Sequence, residues 1–269
     1  MKNLNELVKN YDTDKGGKHS YTIKYQELFS KLHSKFNGKI KLFEIGVLKG
    51  ESLKLWKDYF DNPNSVIAGI DNYEHNVVST EIMESLQKQK IMVYRADQRS
   101  RFHLETVFNY CKKRMFGSVP NREWRHKRPD DCKKSWNFWD VIIDDGSHDP
   151  DANQSSLGFC FPYVKPGGYY IIEDLQTENT WDNEELKKYW GGARTVDMLG
   201  VGSLDGISYP FPNSKNISSK MLKWKKTNKI KSESIYNHER EYLENNIESV
   251  EQWSGNNGGS SMLIIKKSR

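Results

Sequence analysis

The chain has 269 residues, which suits one large domain or one domain with insertions. The 41 Lys and Arg against 36 Asp and Glu give a formal charge of +5, too small by itself to imply nucleic-acid binding. The 8 Trp, 14 Tyr and 11 Phe suffice for a real core and argue against wholesale disorder.

Two further features of the sequence bear on the cellular compartment of the protein. The sequence contains neither the apolar run of a membrane-spanning helix nor the apolar core of a signal peptide at its start. The three cysteines, Cys111, Cys132 and Cys160, are too few for a disulfide framework and lack metal-site spacing. We therefore expect a soluble protein in a reducing compartment, the cytoplasm.

Short β-branched apolar runs alternate with amphipathic segments along the chain. In chain order the predicted strands are Lys39–Gly46, Ser65–Asn72, Lys90–Gln98, Phe138–Gly146 and Gly168–Leu175, followed by a closing pair near Ile247–Trp253 and Ser261–Lys267. The predicted helices are Ser52–Phe60, Glu81–Gln89, Arg101–Met115 and Ala152–Val164. This alternation predicts an α/β fold with a doubly wound, Rossmann-like, mostly parallel sheet. The closing pair predicts a C-terminal antiparallel hairpin at or near an edge.

An acidic residue ends each of the first five predicted strands. These residues are Glu44, Asp71, Asp97, the pair Asp144–Asp145 and the pair Glu173–Asp174. In a doubly wound sheet the ligand lies beyond the carboxyl ends of the strands, where the strand order switches. Carboxylates on one rim repel each other, so a purely structural role explains five of them poorly. We expect the functional site at this edge.

The loop after the first strand, Glu44–Ser52, has the pattern E-x-G-x-x-x-G-x-S. Its candidate residues are Glu44, Gly46, Gly50 and Ser52. Glycines here allow a tight turn and close approach of the backbone to a ligand. Asp71 can accept hydrogen bonds from both ribose hydroxyls, and Asp97, with Gln98 beside it, can meet an adenine amino group. The pattern is neither the dinucleotide fingerprint nor a phosphate loop, so it predicts a nucleoside site without a phosphate cradle.

This combination resembles the class I S-adenosylmethionine-dependent methyltransferases. The resemblance implies that the acidic residue and glycines of strand one, here Glu44 and Gly46, face the methionine part of the cofactor. It also implies that Asp71 binds the ribose of the cofactor and that Asp97 binds its adenine.

Two acidic motifs end strands four and five: Ile143–His148 (IDDGSH) and Ile172–Asp174 (IED). If these strands are neighbours, Asp145, Glu173 and Asp174 converge, and three carboxylates that close repel unless a cation or protons lie between them. All-oxygen ligation suits a hard divalent ion, Mg²⁺ with Mn²⁺ or Ca²⁺ as alternatives. The sequence therefore predicts a divalent metal site beside the cofactor.

A base is needed for methyl transfer to an alcohol, because the pKa of a sugar hydroxyl lies far above 7. A divalent cation lowers that pKa, and His148, with an ordinary pKa of about 6.5, can then remove the proton. Asp144 either orients His148 or has a structural place, and the sequence leaves both open.

The same motifs, together with the segment Thr13–Tyr25 (T-D-K-G-G-x-H-x-Y-x-x-x-Y), resemble the metal-dependent sugar O-methyltransferases of macrolide biosynthesis and polysaccharide clusters. These are the macrocin and mycinose-pathway type, and the resemblance covers roughly Asp12 to Leu175. It implies that Mg²⁺ is bound by Asp145, Glu173 and Asp174, with His148 as the base.

The amino-terminal segment lies near the cofactor or active site in that family. Its secondary candidates are Lys15, His19, Tyr21 and Tyr25, of which Lys15 and Tyr21 are assigned to the cofactor. We accordingly divide the chain into a helical segment, residues 1–38, that covers the active site and a methyltransferase domain, residues 39–269. Insertions near 116–137 and 177–246 depart from the family pattern, and we expect both to shape acceptor choice.

The small net charge conceals two basic tracts. Cys111–Trp136 holds nine basic residues against three acidic ones, and Lys215–Lys231 holds seven lysines and no acid. They favour an anionic acceptor, such as a nucleotide sugar or a charged glycan, although a solvated face is the plain explanation. A homo-oligomer is compatible with the sequence.

Three other functions compete with the sugar methyltransferase. A methyltransferase for a non-sugar diol such as a catechol has a similar metal site but lacks the T-D-K-x-x-H-x-Y segment. An RNA-binding or RNA-modifying protein would use the Arg and Trp residues of Arg122–Trp136 for phosphate and stacking contacts. A hydroxylase is the weakest alternative, because a 2-His-1-carboxylate iron triad is not evident.

Overall fold

The protein is described by a computed structural model over residues 2–17, 19–73, 79–116, 137–175, 217–255 and 261–269. Its helices in these ranges are α1 Leu4–Leu7, α2 Tyr21–Lys35, α3 Glu51–Tyr59, α4 Thr80–Lys88, α5 Arg101–Phe116, α6 Pro150–Cys160, α7 Ile217–Thr227 and α8 Asn237–Asn246. Its strands are β1 Lys41–Ile45, β2 Val66–Asp71, β3 Met92–Arg95, β4 Trp139–Asp144, β5 Val164–Ile172, β6 Ile247–Ser254 and β7 Ser261–Lys267. None of the helices in the described ranges is long and apolar enough to cross a membrane.

The strands form one sheet in the order β3-β2-β1-β4-β5-β7-β6. The first five are parallel, whereas β7 runs antiparallel to both β5 and β6. The predicted doubly wound sheet with a closing hairpin is thus confirmed, with β7 inserted beside β5 and β6 at the edge. The strand order reverses between β1 and β4, which is where such a sheet places its ligand.

The core has one layer on each face of the sheet, because successive strand residues point to opposite faces. On one face Leu42 belongs to the cluster formed by the amino-terminal helices, with Phe29 and Trp56. On the other, the ring of Phe43 lies 4.8 Å from that of Phe108 in α5, in a cluster that also contains residues of α6, α7 and α8. The amino-terminal helices therefore pack directly on the sheet that carries the site.

Two predicted elements differ most in their bounds. The helix predicted over Ala152–Val164 ends at Cys160, because Pro162 has no amide hydrogen to continue it, and a short 3₁₀ turn follows. As a result β5 begins at Val164, four residues before its predicted start at Gly168.

The stretch 177–246 is predicted as an insertion with no assigned helix or strand, yet its described part contains α7 and α8. The buried side chains of Met221 and Trp224, three residues apart in α7, are the helical signal that the sequence reading missed. Residues 117–136 and 176–216 lie outside the described residues, so most of both predicted insertions falls there.

Candidate active site

A cleft of about 460 Å³ lies at the carboxyl edge of the sheet, beside the switch in strand order. Its walls are the loop after β1, the ends of β2 and β3, the loop after β4 and residues 12–15 of the amino-terminal segment. Of the residues predicted for the cofactor, six line it: Lys15, Gly46, Ser52, Asp71, Asp97 and Gln98. The other three, Glu44, Gly50 and Tyr21, are not among its lining residues.

Backbone hydrogen bonds extend the parallel ladder past the strand ends and fix the floor of the cleft. The amide of Gly46 donates to Ile70 O at 2.8 Å, and the amide of Asp145 donates to Ile45 O at 2.9 Å. Gly46 has a φ of +94°, and a Cβ atom there would lie 2.0 Å from Asp145 O. Only glycine fits this position, because the chain leaving β4 passes directly over it.

Asp71 holds the loop after β1 through backbone amides. Its Oδ2 atom accepts hydrogen bonds from the amides of Val47 at 2.8 Å and Leu48 at 2.9 Å. Its Oδ1 atom accepts one from the amide of Tyr73 at 2.7 Å. A carboxylate has about four lone-pair positions, so roughly one remains for a ligand hydroxyl in the cleft.

Gln98 links β3 to the loop after β4. Its side-chain amide donates to Asp144 Oδ1 at 3.0 Å and accepts from the backbone amide of Ser147 at 2.9 Å. The side chain is buried, and both ends of its amide are engaged. The neighbouring Asp97 accepts from the amide of Arg99 at 2.8 Å and faces the cleft. Gln98 therefore orders the cleft wall, while Asp97 is the more available to a ligand.

Glu44 lies beneath the cleft rather than on its wall. It is fully buried, and its Oε2 atom accepts a hydrogen bond from Trp56 Nε1 at 2.7 Å. Burial raises its pKa to about 7, while a hydrogen bond from Ser52 acts in the opposite direction. Glu44 is therefore not exposed to the cleft, and its contact with a cofactor stays a prediction.

Asp144 has a structural place. Its buried carboxylate accepts hydrogen bonds from Ser156 Oγ at 2.5 Å, from Tyr170 Oη at 3.0 Å and from Gln98. Burial raises its pKa, and the hydrogen bonds from Ser156 and Tyr170 and the nearby His148 oppose the rise. None of the hydrogen bonds that the described residues give this carboxylate comes from His148, which favours the structural alternative.

Asp145, His148 and Asp174 meet at the end of the cleft, where their potential ligand atoms all lie within 4.8 Å of one another. His148 and Asp174 have φ values of +56° and +50°, a backbone region that costs roughly 1–3 kcal/mol per residue unless the surroundings impose it. Among the described residues His148 Nδ1 is buried with no hydrogen-bond partner. The two carboxylates suit Mg²⁺ or Mn²⁺, so these residues fit a hard divalent ion, with His148 beside it.

Lys15 lies beside this group with only 1% of its side chain exposed. Its Nζ atom donates to Asp145 Oδ2 at 2.5 Å and to Glu173 Oε2 at 2.6 Å, and lies 3.5 Å from Glu44 Oε1. Burial acts to lower the pKa of Lys15, but the charges of Asp145, Glu173 and Glu44 raise it well above its usual range. Lys15 is therefore a permanent cation among three carboxylates.

Glu173 is the one predicted metal ligand that the structure does not bring into the group. One of its carboxylate oxygens accepts from Lys15, and the other accepts a short hydrogen bond from Tyr25 Oη. Burial raises its pKa, and Lys15 opposes that rise. The sequence predicted Asp145, Glu173 and Asp174 as ligands; the structure groups the two aspartates with His148, and ligation by Glu173 stays a prediction.

Tyr21 and His19 hold Asp174. The Tyr21 hydroxyl donates to Asp174 Oδ1 at 2.5 Å, and the Asp174 amide donates back to that hydroxyl oxygen at 3.2 Å. The His19 ring stacks on Tyr21, and its Nδ1 atom lies 3.5 Å from Asp174 Oδ1. Tyr21, predicted to bind the cofactor, thus contacts an acidic residue of the site. The resemblance of the Thr13–Tyr25 segment predicts that it lies near the site, and the structure places it there. The spacing of the motif does not predict which side chains of the site it contacts.

No family model matches the chain. It is 29% identical over 182 residues to the mycinamicin VI 2''-O-methyltransferase of Micromonospora griseorubida, and 28% identical over 182 residues to the demethylmacrocin O-methyltransferase of Streptomyces fradiae. Each alignment covers 65% of this chain and 36% of the relative. The chain thus spans little more than a third of the length of these curated relatives.

Among solved structures, the chain resembles the MycE methyltransferase of the mycinamycin biosynthetic pathway in complex with Mg and SAH. The TM-score is 0.58 at 22% identity, and the match covers 100% of this chain and 55% of that one. A carbon methyltransferase, CurJ, matches with a TM-score of 0.51 at 11% identity over 98% of this chain and 58% of that one. The chain therefore has the class I methyltransferase fold, and its curated relatives are sugar O-methyltransferases of the type that its motifs predicted.

Proposed function

We propose that this protein transfers the methyl group of S-adenosylmethionine to a sugar hydroxyl in a reaction that depends on a divalent cation. One observation carries the proposal: the cleft at the switch in strand order ends at the group of Asp145, His148 and Asp174. A nucleoside-sized cleft that adjoins a hard-metal donor set is what such a reaction requires. The curated relatives support a sugar-bearing acceptor.

The cofactor occupies the cleft in this proposal. S-adenosylmethionine supplies an electrophilic methyl group on a sulfonium centre. Asp71 has a lone pair left for a ribose hydroxyl, and Asp97 lies on the adjoining wall for the adenine. Gly46 lines the cleft close to Asp145, where the methionine part would enter. Ser52 and Lys15 complete this wall.

Asp145 and Asp174 would hold the divalent ion, and His148 lies within reach of both. The ion supplies Lewis-acid activation of the acceptor hydroxyl. The imidazole of His148 removes the hydroxyl proton as the oxygen attacks the methyl carbon and the carbon–sulfur bond breaks. His148 would hold the proton as an imidazolium, which offsets the positive charge that the methyl donor loses, so charge and atoms balance.

The charge of the acceptor, the cellular compartment and the oligomeric state belong to the same proposal. Helix α7 carries Lys220, Lys223, Lys225 and Lys226 and no acid, which supports an anionic acceptor such as a nucleotide sugar or a glycan in polysaccharide synthesis. Cys111 and Cys160 are free and buried, in keeping with a reducing cytoplasm. We also propose a homo-oligomer, which sedimentation of the purified protein tests.

The reaction is tested with the purified protein and S-adenosylmethionine labelled in its methyl group. We expect label to pass to a rhamnoside or a nucleotide sugar in the presence of Mg²⁺ and to stop with excess EDTA. Full transfer in EDTA would exclude the metal role, and failure to bind S-adenosylhomocysteine in calorimetry would exclude the cofactor. Preferred transfer to a catechol, or salt-dependent binding and methylation of RNA, would favour the other two functions.

A further inference from the structure

The loop after β3 forms the part of the cleft wall that is proposed above for the adenine of the cofactor. We propose that His103, in the first turn of α5, is a positioning residue for this wall. It binds the backbone amide of Asp97 and so fixes the Asp97 carboxylate for the adenine amino group. His103 is not among the residues that line the cleft, so it acts through Asp97. This inference rests on the proposed function, because it concerns the cofactor that function requires.

Asp97 follows the end of an edge strand. β3 is the outermost strand on its side of the sheet, and among the described strands it is paired with β2 alone. The amide of Ala96 extends this pairing, since it donates to Asp71 O at 2.9 Å. Neighbouring amides along a strand point to opposite sides, so the amide of Asp97 points away from β2, where the sheet has no further strand. This amide therefore needs a partner from outside the sheet.

His103 supplies that partner. The Asp97 amide donates to His103 Nδ1 at 3.2 Å. Nδ1 must therefore be the ring nitrogen without hydrogen, because a hydrogen there would set two N–H groups against each other. The ring is half-buried, and the backbone amide of His103 donates to Ser100 Oγ at 3.3 Å, which caps the start of α5. The acceptor for the Asp97 amide is thus fixed by the helix that carries it.

The carboxylate of Asp97 is held at one oxygen and open at the other. Its Oδ1 atom accepts from the amide of Arg99 at 2.8 Å, and its backbone oxygen accepts from the amide of Ser100 at 3.1 Å. None of the hydrogen bonds within the described residues goes to Asp97 Oδ2, and Asp97 lines the cleft. With the bond to His103, the position of this open oxygen is set before a ligand binds, which reduces the cost of ordering the loop.

Asp97 depends on such outside support more than Asp71 does. The carboxylate of Asp71 accepts hydrogen bonds from three backbone amides, two in the loop after β1 and one two residues further on. The carboxylate of Asp97 accepts one such bond from the described residues. The adenine side of the cleft is therefore the one that a side chain from α5 has to hold in place.

The first test compares two ligands by calorimetry: S-adenosylhomocysteine and its deamino analogue, in which hydrogen replaces the adenine amino group. We expect the wild type to prefer S-adenosylhomocysteine by at least about tenfold, as a hydrogen bond to a charged carboxylate implies. His103→Ala should weaken binding of S-adenosylhomocysteine about three- to tenfold and binding of the analogue less than about twofold. General damage to the cleft would weaken both ligands equally, and that result would overturn the proposal.

Two conservative variants distinguish the two ring nitrogens of His103. Asparagine carries its side-chain oxygen at the position of Nδ1, so His103→Asn should bind S-adenosylhomocysteine within about twofold of wild type. Glutamine carries its polar group at the position of Nε2, so His103→Gln should lose as much affinity as His103→Ala. Equal affinities of the Asn and Gln variants would overturn the role of Nδ1. This pair also decides the question should His103→Ala not fold.

Ser100→Ala is the matched control, because it removes the cap of the same helix and leaves the bond between Asp97 and His103 in place. We expect its midpoint of thermal unfolding to fall. Its preference between the two ligands should stay within about twofold of the wild-type preference. Loss of the preference in Ser100→Ala would overturn the proposal, because a weakened start of α5 would then explain the effect of His103→Ala.

Failure of the proposed function gives a different result. A wild-type protein that binds neither ligand, or both equally, contradicts the cofactor part of the proposed function, and this inference fails with it. Asp97→Ala should abolish the preference, and His103→Ala should then have no further effect on it in the double variant. A wild-type preference that depends on Asp97 but not on His103 overturns this inference alone.

Discussion

The two halves of the site stabilise their carboxylates in different ways. In the half that we propose binds the cofactor (the cofactor half), at the ends of β2 and β3, Asp71 and Asp97 accept hydrogen bonds from backbone amides, among them those of Tyr73 and Arg99, each two residues further on. In the half that we propose binds the metal (the metal half), at the ends of β4 and β5, the partners are side chains from the amino-terminal segment. Lys15 is 130 residues from Asp145 in the chain.

The difference matters because a dipole and a cation do different things to a carboxylate. Backbone amides fix the orientation of Asp71 but leave its negative charge and a lone pair for a polar ligand. An ammonium cancels charge, which allows buried acids such as Glu173 to lie next to Asp174 without an ion always present. The cofactor half is thus prepared for hydrogen bonding, and the metal half for controlled charge.

The largest expected effect is on the chemistry of the metal half. His148→Ala should lower the turnover number by roughly 10²–10⁴-fold, because the proposed base is lost. Affinity for S-adenosylhomocysteine should change less than about threefold, since the cofactor half is untouched. Single-turnover transfer of labelled methyl groups and calorimetry measure the two. His238→Ala, an exposed histidine of α8, is the control. Unchanged turnover in His148→Ala would assign the base to another group.

A second substitution changes the cofactor half and leaves the residues of the metal half intact. Asp71→Asn keeps the shape but turns one acceptor oxygen into an NH₂ group that opposes a backbone amide, either at the loop after β1 or at Tyr73. We expect affinity for S-adenosylhomocysteine to fall about 10- to 100-fold, the cost of lost hydrogen bonds to a charged group. Mn²⁺ binding in the absence of cofactor should be nearly unchanged. If Mn²⁺ binding fell equally, the two halves would not be separable.

This contrast also explains what the sequence could reveal. The strand ends, and with them Asp71, Asp97 and Asp145, were predictable because a doubly wound sheet brings all its carboxyl ends to one edge. The place of Asp144 was not, because the sequence left open whether it orients His148 or is structural. Asp144 lies on a strand with every residue buried, and only its neighbours Ser156 and Tyr170 show that it belongs to the core.

The partners of the metal half were out of reach for a different reason. The contacts of Lys15, Tyr21 and Tyr25 bridge 130 to 158 residues, and no local periodicity encodes such pairings. The resemblance of the Thr13–Tyr25 segment to a family placed it near the site, but it suggested cofactor contacts for Lys15 and Tyr21. A buried lysine beside several acids becomes recognisable as a counter-ion only once the sheet order is known.

The junction between the halves gives a third prediction. Gly46→Ala puts a Cβ atom 2.0 Å from Asp145 O at a φ of +94°, so it should lower the free energy of unfolding by roughly 1–3 kcal/mol or more. Gly17→Ala is the matched control, because its Cβ atom would meet nothing within 4 Å. Urea unfolding compares them. Equal stability of the two variants would mean that β1 and β4 do not approach each other as described.

The smallest expected effect separates the buried anchor of the amino-terminal segment from its surface contact. Asp12 forms an ion pair with Lys49 at 3.0 Å across the mouth of the cleft, but their side chains are 79% and 52% exposed. Exposed pairs contribute little, so Asp12→Asn should change the free energy of unfolding by less than about 1 kcal/mol. Urea unfolding and Mn²⁺ binding should both stay close to wild type. A marked loss of Mn²⁺ affinity would show that the position of the amino-terminal segment depends on the ion pair between Asp12 and Lys49. The contacts of Lys15 would then not suffice to keep the segment packed on the metal half.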